Sequence, residues 1–451
     1  MASNAKLFAE LLDTSTGDVL SSNLDNAVVT DWSAAVQTSS FTAAKDKGYF
    51  VNTTSGEITV TLPASPTKGD IVGIVDYKGT AATNNIIVKG NGSKIKGTNI
   101  DVLLTQNFVS VTLIFSDATQ GWLAQDSANE TATKALGMSF DVDALLVGGG
   151  GGGGEDNGGG GGGGSVVHIT NKTVTQGNTF AMVIGAGGAG GSGGDQGGRK
   201  GVSTTGLGFT ATGGGGGMTS FSSSSYGSNH GSYGQDAANG GGGAGVADGS
   251  SGVGTGRPGA SSSASGSTHY NGYAGGTGAG GSPYYSGGGA GAAQAGHNFN
   301  TNSRNGGNGG DGKEIAGMGP SGATYTWGGG GGGGVYQTTG SDTAGNGGAG
   351  GGGGGAGGVG GASNGAGGTS ALNAGEAGSA DGAGQGGDAG ANTGGGGGGA
   401  HRSTNTGGAG GSGIVIVKYA GAQKATGGTI TSAGGYTYHT FLTNATLTIT
   451  G

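Results

Sequence analysis

Few residues of this chain could do chemistry, and their spacing argues against catalysis. Glu155-Asp156 sits between two glycine runs, and Asp311 lies three residues before Glu314. A glycosidase needs two carboxylates at a fixed separation across a cleft. Nothing in the pattern predicts a cleft, so these four read as solvated loop charges. The six histidines show no HxH or HExxH spacing that would hold a metal. His168 and His439 fall in strand-like runs and read as structural. His230, His269 and His297 share an aromatic-rich segment, where contact with a ligand is a minor alternative to a purely structural place. Cysteine is absent, which excludes a disulfide framework, a thiolate metal site and a cysteine nucleophile. Matches to GxGxxG carry no information in a chain with 124 glycines. The expectation is a non-enzyme with no catalytic residue, metal or cofactor.

Binding is the chemistry that remains, and the aromatics are its carriers. Of 27 aromatics, eleven fall within 218–340 and none within 341–418. The rest of 218–340 is rich in Gly, Ser, Asn and Thr. Tyrosine supplies rigid amphipathic contact area, and small polar neighbours supply adaptable hydrogen bonds. Such faces would stack on sugar rings or cover a loop of another protein. The competing reading is that the same rings pack on one another and hold together a block that has almost no other core.

The elements that position these rings follow from composition. More than a quarter of the 451 residues are glycine, with 5 prolines and 10% charged residues. Collagen is excluded, because it needs glycine at every third position and abundant proline. A net charge of -8 with only 18 Lys+Arg offers no basic stripe for nucleic acid. No apolar run reaches the roughly 18–20 residues of a membrane-spanning helix. MASNAKLFAELLDTS lacks the basic and long apolar regions of a secretory signal.

Of the 124 glycines, 107 lie within 148–413, and this shift marks boundaries. Residues 1–31, with the amphipathic stretch AKLFAELLD, read as an attachment arm. Residues 32–127 read as a β module. In it GYFVNTT and EITVTLP form a hairpin across Ser55-Gly56, with Ile58, Val60 and Leu62 on one face. DIVGIVDY and NNIIVKG are further strands, Val109, Val111, Leu113 and Phe115 alternate, and WLAQ returns after DATQG. Residues 128–138 read as a linker. Residues 139–420 form a glycine-rich domain that enters through SFDVDALLVG and leaves through SGIVIVKYAG. VVHITN and TFAMVIG form a hairpin just inside it. Residues 421–451 form a C-terminal β element.

Glycine runs of four or more occupy 148–154, 158–164, 213–217, 240–243, 328–334, 350–355 and 394–399. Composition alone reads them as flexible linker. Two features favour order: the runs sit between strongly apolar strands, and serine is nearly excluded from them. The ordered alternative is packed polyglycine-II-type helices, threefold and extended, at about 3.1 Å per residue. Side chains larger than alanine would then be unwelcome at interior positions. The fold class expected is mainly β: an N-terminal β module, then packed polyglycine-II-type helices bracketed by β-strands.

The pattern resembles the glycine-rich tail-fibre adhesins of T4-like marine bacteriophages. MASNAKLFAELLDTSTGDV is similar to the start of such fibre proteins. GEITVTLPASPTKGDIVGIVDYKGTAATNNIIVKGNGSKI, followed by GWLAQ, resembles a β module recurrent in them. DALLVGGGGGGG, FAMVIGAGGAGG and GGSGIVIVKY are similar to a glycine-rich domain of phage fibres, and GGYTYHTFLTNATLTITG to an element that accompanies it. The interior of 218–340 matches none of these. The resemblance implies a virion fibre protein that binds a host receptor, a surface saccharide or an outer-membrane protein, during adsorption. It implies a homotrimer, attached to tail or baseplate proteins through its N-terminus, and a block whose inter-run segments make receptor loops. On that reading 341–418 is scaffold. The candidate contact residues are Tyr226, Tyr233, Tyr270, Tyr273, Tyr284, Tyr285, Phe299, Trp327 and Tyr336. The alternative is a structural fibre or spacer that positions a separate adhesin. An ice- or surface-binding protein is disfavoured by the N-terminal β module, and a depolymerase by the missing cleft.

Overall fold

The computed structural model describes residues 31–99, 101–125, 136–193, 196–220, 237–244, 265–279, 284–300, 302–336, 341–358, 362–379, 384–402 and 404–450. The chain folds as two units, one up to Phe140 and one from Asp141 to Thr450. Arm residues 1–30 and linker residues 128–135 lie outside the described residues.

In the first unit the chain coils between two sheets. Asp31–Trp32, Lys47–Val51 and Ile71–Asp76 stack in parallel in one sheet. Phe41–Thr42, Ile58–Thr61 and Ile86–Lys89 stack in parallel in the other. Antiparallel strands close both: Ser110–Asp117 and Gly121–Ala124 on the first, Asp101–Leu104 and then Leu136–Ser139 on the second. The expected alternation holds. Ile58, Val60, Leu62, Val111, Leu113 and Phe115 all turn into one core, which also buries Trp122. The expected hairpin across Ser55-Gly56 does not form. Its two strands enter opposite sheets, and each pairs with a strand one coil away. Buried Asp76 fixes the connections, accepting the amides of Gly79, Ala81 and Phe108 at 3.0–3.1 Å.

The second unit is built on the strand Ile414–Ala420. It lies between Asp143–Val147 and Tyr436–Phe441, and Thr429–Ala433 pairs beyond. This central place explains the unbroken apolar run: Ile414, Val415, Ile416 and Val417 are all buried. The strand that supplies Asp143–Val147 begins at Leu136, inside the stretch read as a linker. The expected hairpin of VVHITN and TFAMVIG is also absent. Val166–Ile169 pairs with Ser267–Tyr270, whereas Thr179–Met182 pairs antiparallel with Ala445–Thr448.

The packed polyglycine-II-type helices are not seen. The protein is mainly β, and the one helical turn among the described residues is Pro320–Gly322. The glycine runs belong to no helix and no strand. Runs 148–154 and 158–164 close no hydrogen bond within themselves, so nothing winds them into a helix of the α or 3₁₀ kind. Their bonds all reach outward. From the first run Gly148, Gly151 and Gly154 donate to Ser165, Gly162 and Gly159. Gly149 and Gly152 donate to Val202 and Arg199, and Gly150 and Gly153 to Gly411 and Gly408. Its carbonyls accept from three more segments, through Gly188, Gly214 and Gly397 among others. One run is thus tied to six neighbours: all seven of its amides donate, and the carbonyls of Gly149 through Gly154 accept. Packing is tighter than expected. A Cβ at Gly150 or Gly153 would lie 1.9 Å from a backbone oxygen, so at these positions even alanine is excluded.

Behind the C-terminal hairpin lies a buried polar relay. The amides of Lys424 and Ala425 donate to the Tyr419 hydroxyl at 3.0 and 3.1 Å. That hydroxyl donates to His439 Nε2 at 2.8 Å, and His439 Nδ1 donates to the Gly427 carbonyl at 2.7 Å. The arrangement needs a neutral imidazole with its proton on Nδ1. Burial pushes the His439 pKa below the ordinary histidine value, partly offset by the Gly427 carbonyl. Burial likewise lowers His168 and His401. The unfolded chain therefore binds more protons than the folded one as pH falls. Stability should be full above the unfolded value of about 6.5 and decline as pH drops from there through the lowered folded values. Denaturation midpoints between pH 7.5 and 5 check this prediction, and His439→Gln should flatten part of the slope. A midpoint that rises on acidification would contradict it.

Candidate functional site

Strand alternation separates the candidate rings. Tyr284–Tyr285 pairs antiparallel with Val335–Tyr336, so neighbouring side chains point to opposite faces. Tyr284 and Tyr336 point outward and are half-buried, and their rings stack at 6.1 Å. Tyr336 also stacks on His401 at 6.2 Å, with the Arg402 guanidinium 5.5 Å from its centroid. The result is a three-ring ladder running from a half-exposed tyrosine to a buried histidine. On the inner face Tyr285 is fully buried among Val335, Ala344 and Ala362, with Phe299 packed alongside. The Tyr285 hydroxyl lies 3.4 Å from Asp342, which is buried and bound to Arg304 at 2.7 Å. Burial, first among several causes, pushes the Tyr285 phenol pKa up.

A second group surrounds the strand Tyr325–Trp327, which pairs with Lys313–Ile315. Trp327 is fully buried with Leu145, Val166, Ile414 and Tyr438, and Tyr325 meets it edge-on at 5.7 Å. Tyr270 is half-buried at the rim of this cluster, and Lys313 Nζ lies 4.8 Å from its ring. Tyr273 stands apart, 39% exposed.

The chain matches the family model described as a glycine-rich domain over residues 127–354, half its length. It belongs to the glycine-rich domain family. No curated protein matches the chain. The glycine-rich domain match includes runs 148–154, 158–164, 213–217, 240–243 and 328–334. The hydrogen-bonded block of this glycine-rich domain continues past residue 354, since Gly397 donates to Gly151 and Gly399 to Gly332.

Within it the nine candidate residues do not form one site. Tyr226 and Tyr233, like His230, lie outside the described residues. Tyr285 and Trp327 cannot meet a receptor, because both are fully buried. Each sits on the inner face of a short strand, where it supplies apolar core to a block that is otherwise glycine. Phe299 is half-buried in the first group and joins that packing. Tyr270, Tyr273, Tyr284 and Tyr336 remain accessible in part.

The charged candidates are also redistributed. Glu155 is not a solvated loop charge: it is fully buried in the turn joining two runs, accepting the Gln196 amide at 2.6 Å. The turn is embedded because the runs on either side are enclosed by neighbours. Asp156 accepts the Ser220 hydroxyl at 2.5 Å. Asp311 and Glu314 are exposed. His297 is exposed, and His269 lies 3.0 Å from the Ser267 hydroxyl. Sequence reasoning missed His401 and Arg402, which join the ladder from the stretch read as scaffold. The signal was present: His-Arg interrupts an alphabet of small residues just beyond the run 394–399, after Ala400.

Proposed function

We propose that this protein is a phage virion fibre protein that binds a host cell-surface receptor through side chains displayed on a rigid glycine block. It acts without catalysis. The observation that carries the reading is the half-exposed ladder of Tyr284 and Tyr336, backed by His401 and Arg402 and seated on segments hydrogen-bonded into the block. Rings held this way lose little freedom on binding, so less of the contact energy is spent on ordering. The fibre-like flanks of the glycine runs give the same reading its phage context. A saccharide or an outer-membrane protein loop suits such a surface.

The proposal includes homotrimerisation through the first unit and virion attachment through the N-terminus. One feature supports association. The outward face of the five-stranded sheet carries Trp32, Phe50, Val75, Tyr77 and Leu123, with Trp32 and Tyr77 42% and 46% exposed. Light scattering tests this: Trp32→Ser with Tyr77→Ser should lower the mass of the full chain, and a monomeric parent would sink it.

The receptor reading is tested on virions. Tyr284→Ala and Tyr336→Ala should each slow adsorption about tenfold or more while the denaturation midpoint moves little. Truncation at a contact centre costs on the order of 2 kcal/mol, and several fibres engaged together amplify the loss. Adsorption unchanged by both variants and by Tyr273→Ala would favour the spacer reading, in which a different protein meets the host.

A further inference from the structure

We infer that the tip of the C-terminal hairpin is a second contact site, one for an anionic saccharide, built on Tyr436 with Lys418 beside it. The inference rests on the receptor reading for the class of ligand and on separate residues for the site.

Thr429–Ala433 and Tyr436–Phe441 are joined by Gly434 and Gly435, both in the left-handed region. Next to this turn is an open depression of about 340 Å³, lined by Gly421, Ala422, Ser432, Gly434, Gly435 and Tyr436 among others. Its floor is largely bare backbone. A Cβ at Gly434 or Gly435 would meet nothing within 4 Å, so a ligand can approach the main chain closely. The wall is Tyr436, 41% exposed. The Lys418 ammonium lies 4.4 Å from the Tyr436 ring centroid. Lys424, near the same turn, donates to the Ala420 carbonyl at 3.1 Å. Asp143, across the strand from Lys418, accepts the Asn171 amide at 3.0 Å. No carboxylate lines the depression.

These features select a ligand. A flat exposed aromatic ring accepts the C–H face of a pyranose, and backbone groups and Ser432 are suited to hydroxyls. The ammonium favours a carboxylate or phosphate on the sugar. The depression is lined by seven residues, far fewer than the roughly 20–30 a side of a stable protein interface. Nucleic acid is opposed by the net charge of -8.

Saturation-transfer NMR on the full chain tests the inference, with tetragalacturonate as the acidic probe and maltotetraose as the neutral one. At low salt the acidic oligomer should bind about tenfold more tightly than the neutral one, a difference of about 1.4 kcal/mol. Tyr436→Ala should weaken both, and Lys418→Gln should bring the acidic oligomer down to the neutral level. Ser432→Trp, at an exposed lining position, should block binding by filling the depression, whether or not Tyr436→Ala folds well. No transfer from tetragalacturonate, or transfer that persists in both Tyr436→Ala and Ser432→Trp, overturns the site. That result leaves the receptor reading standing, because adsorption of the Tyr284 and Tyr336 variants decides it independently.

Discussion

Gly331→Ala is expected to cost the protein about 3 kcal/mol or more, the upper range for overpacking, although it adds a single methyl group. Its Cβ would lie 2.0 Å from the Gly397 carbonyl oxygen, and the obstacle is backbone, with no side-chain end to swing aside. Gly331 also donates to Gly161 while its own carbonyl accepts from Gly289, so any shift strains bonds on several sides. Gly153→Ala, 1.9 Å from the Gly398 oxygen, should behave alike. Gly434→Ala is the control. Its φ is +59° and its surroundings are open, so only the left-handed conformation is penalised, at about 1–2 kcal/mol. Denaturant midpoints of the three variants give the comparison. Equal losses at all three would mean that the runs are not the close-packed interior described above.

Trp327→Ala should cost about 3–5 kcal/mol, as large aromatic truncations in cores do, and should do so without touching a receptor. Trp327 is the largest buried side chain of its cluster and joins the strands Asp143–Val147 and Ile414–Ala420 to the 313–327 hairpin. The surviving folded fraction should adsorb normally at low temperature, in contrast to Tyr284→Ala. Selective loss of adsorption with the midpoint unchanged would return Trp327 to the contact residues.

Local rules read what is local. Period-two alternation found Val109 to Phe115, the turn before WLAQ and the buried run Ile414–Val417, because each needs only the pleat and one apolar face. Partner choice was not legible. A turn after Val51 looks the same whether the chain folds back on itself or crosses to a second sheet, so Lys47–Val51 and Ile58–Thr61 were paired with each other. Near-pure glycine runs implied ordered packing, but the helical description failed: the protein is mainly β, and its one helical turn among the described residues is Pro320–Gly322, outside the runs. Aromatic composition located the rings. Their burial followed from position on two-residue and three-residue strands, which is how adjacent Tyr284 and Tyr285 came to have opposite roles.

The six-neighbour bonding of the first run also sets the order of assembly. Gly149 needs Val202, Gly151 needs Gly162 and Gly150 needs Gly411. A ribosome adding roughly 5–20 residues per second therefore exposes the run 148–154 long before its last partner exists. Contacts of such sequence separation are slow to form, and no subset of the block satisfies that run. The block should close late and as one unit, with unpaired glycine backbone open to other chains until it does.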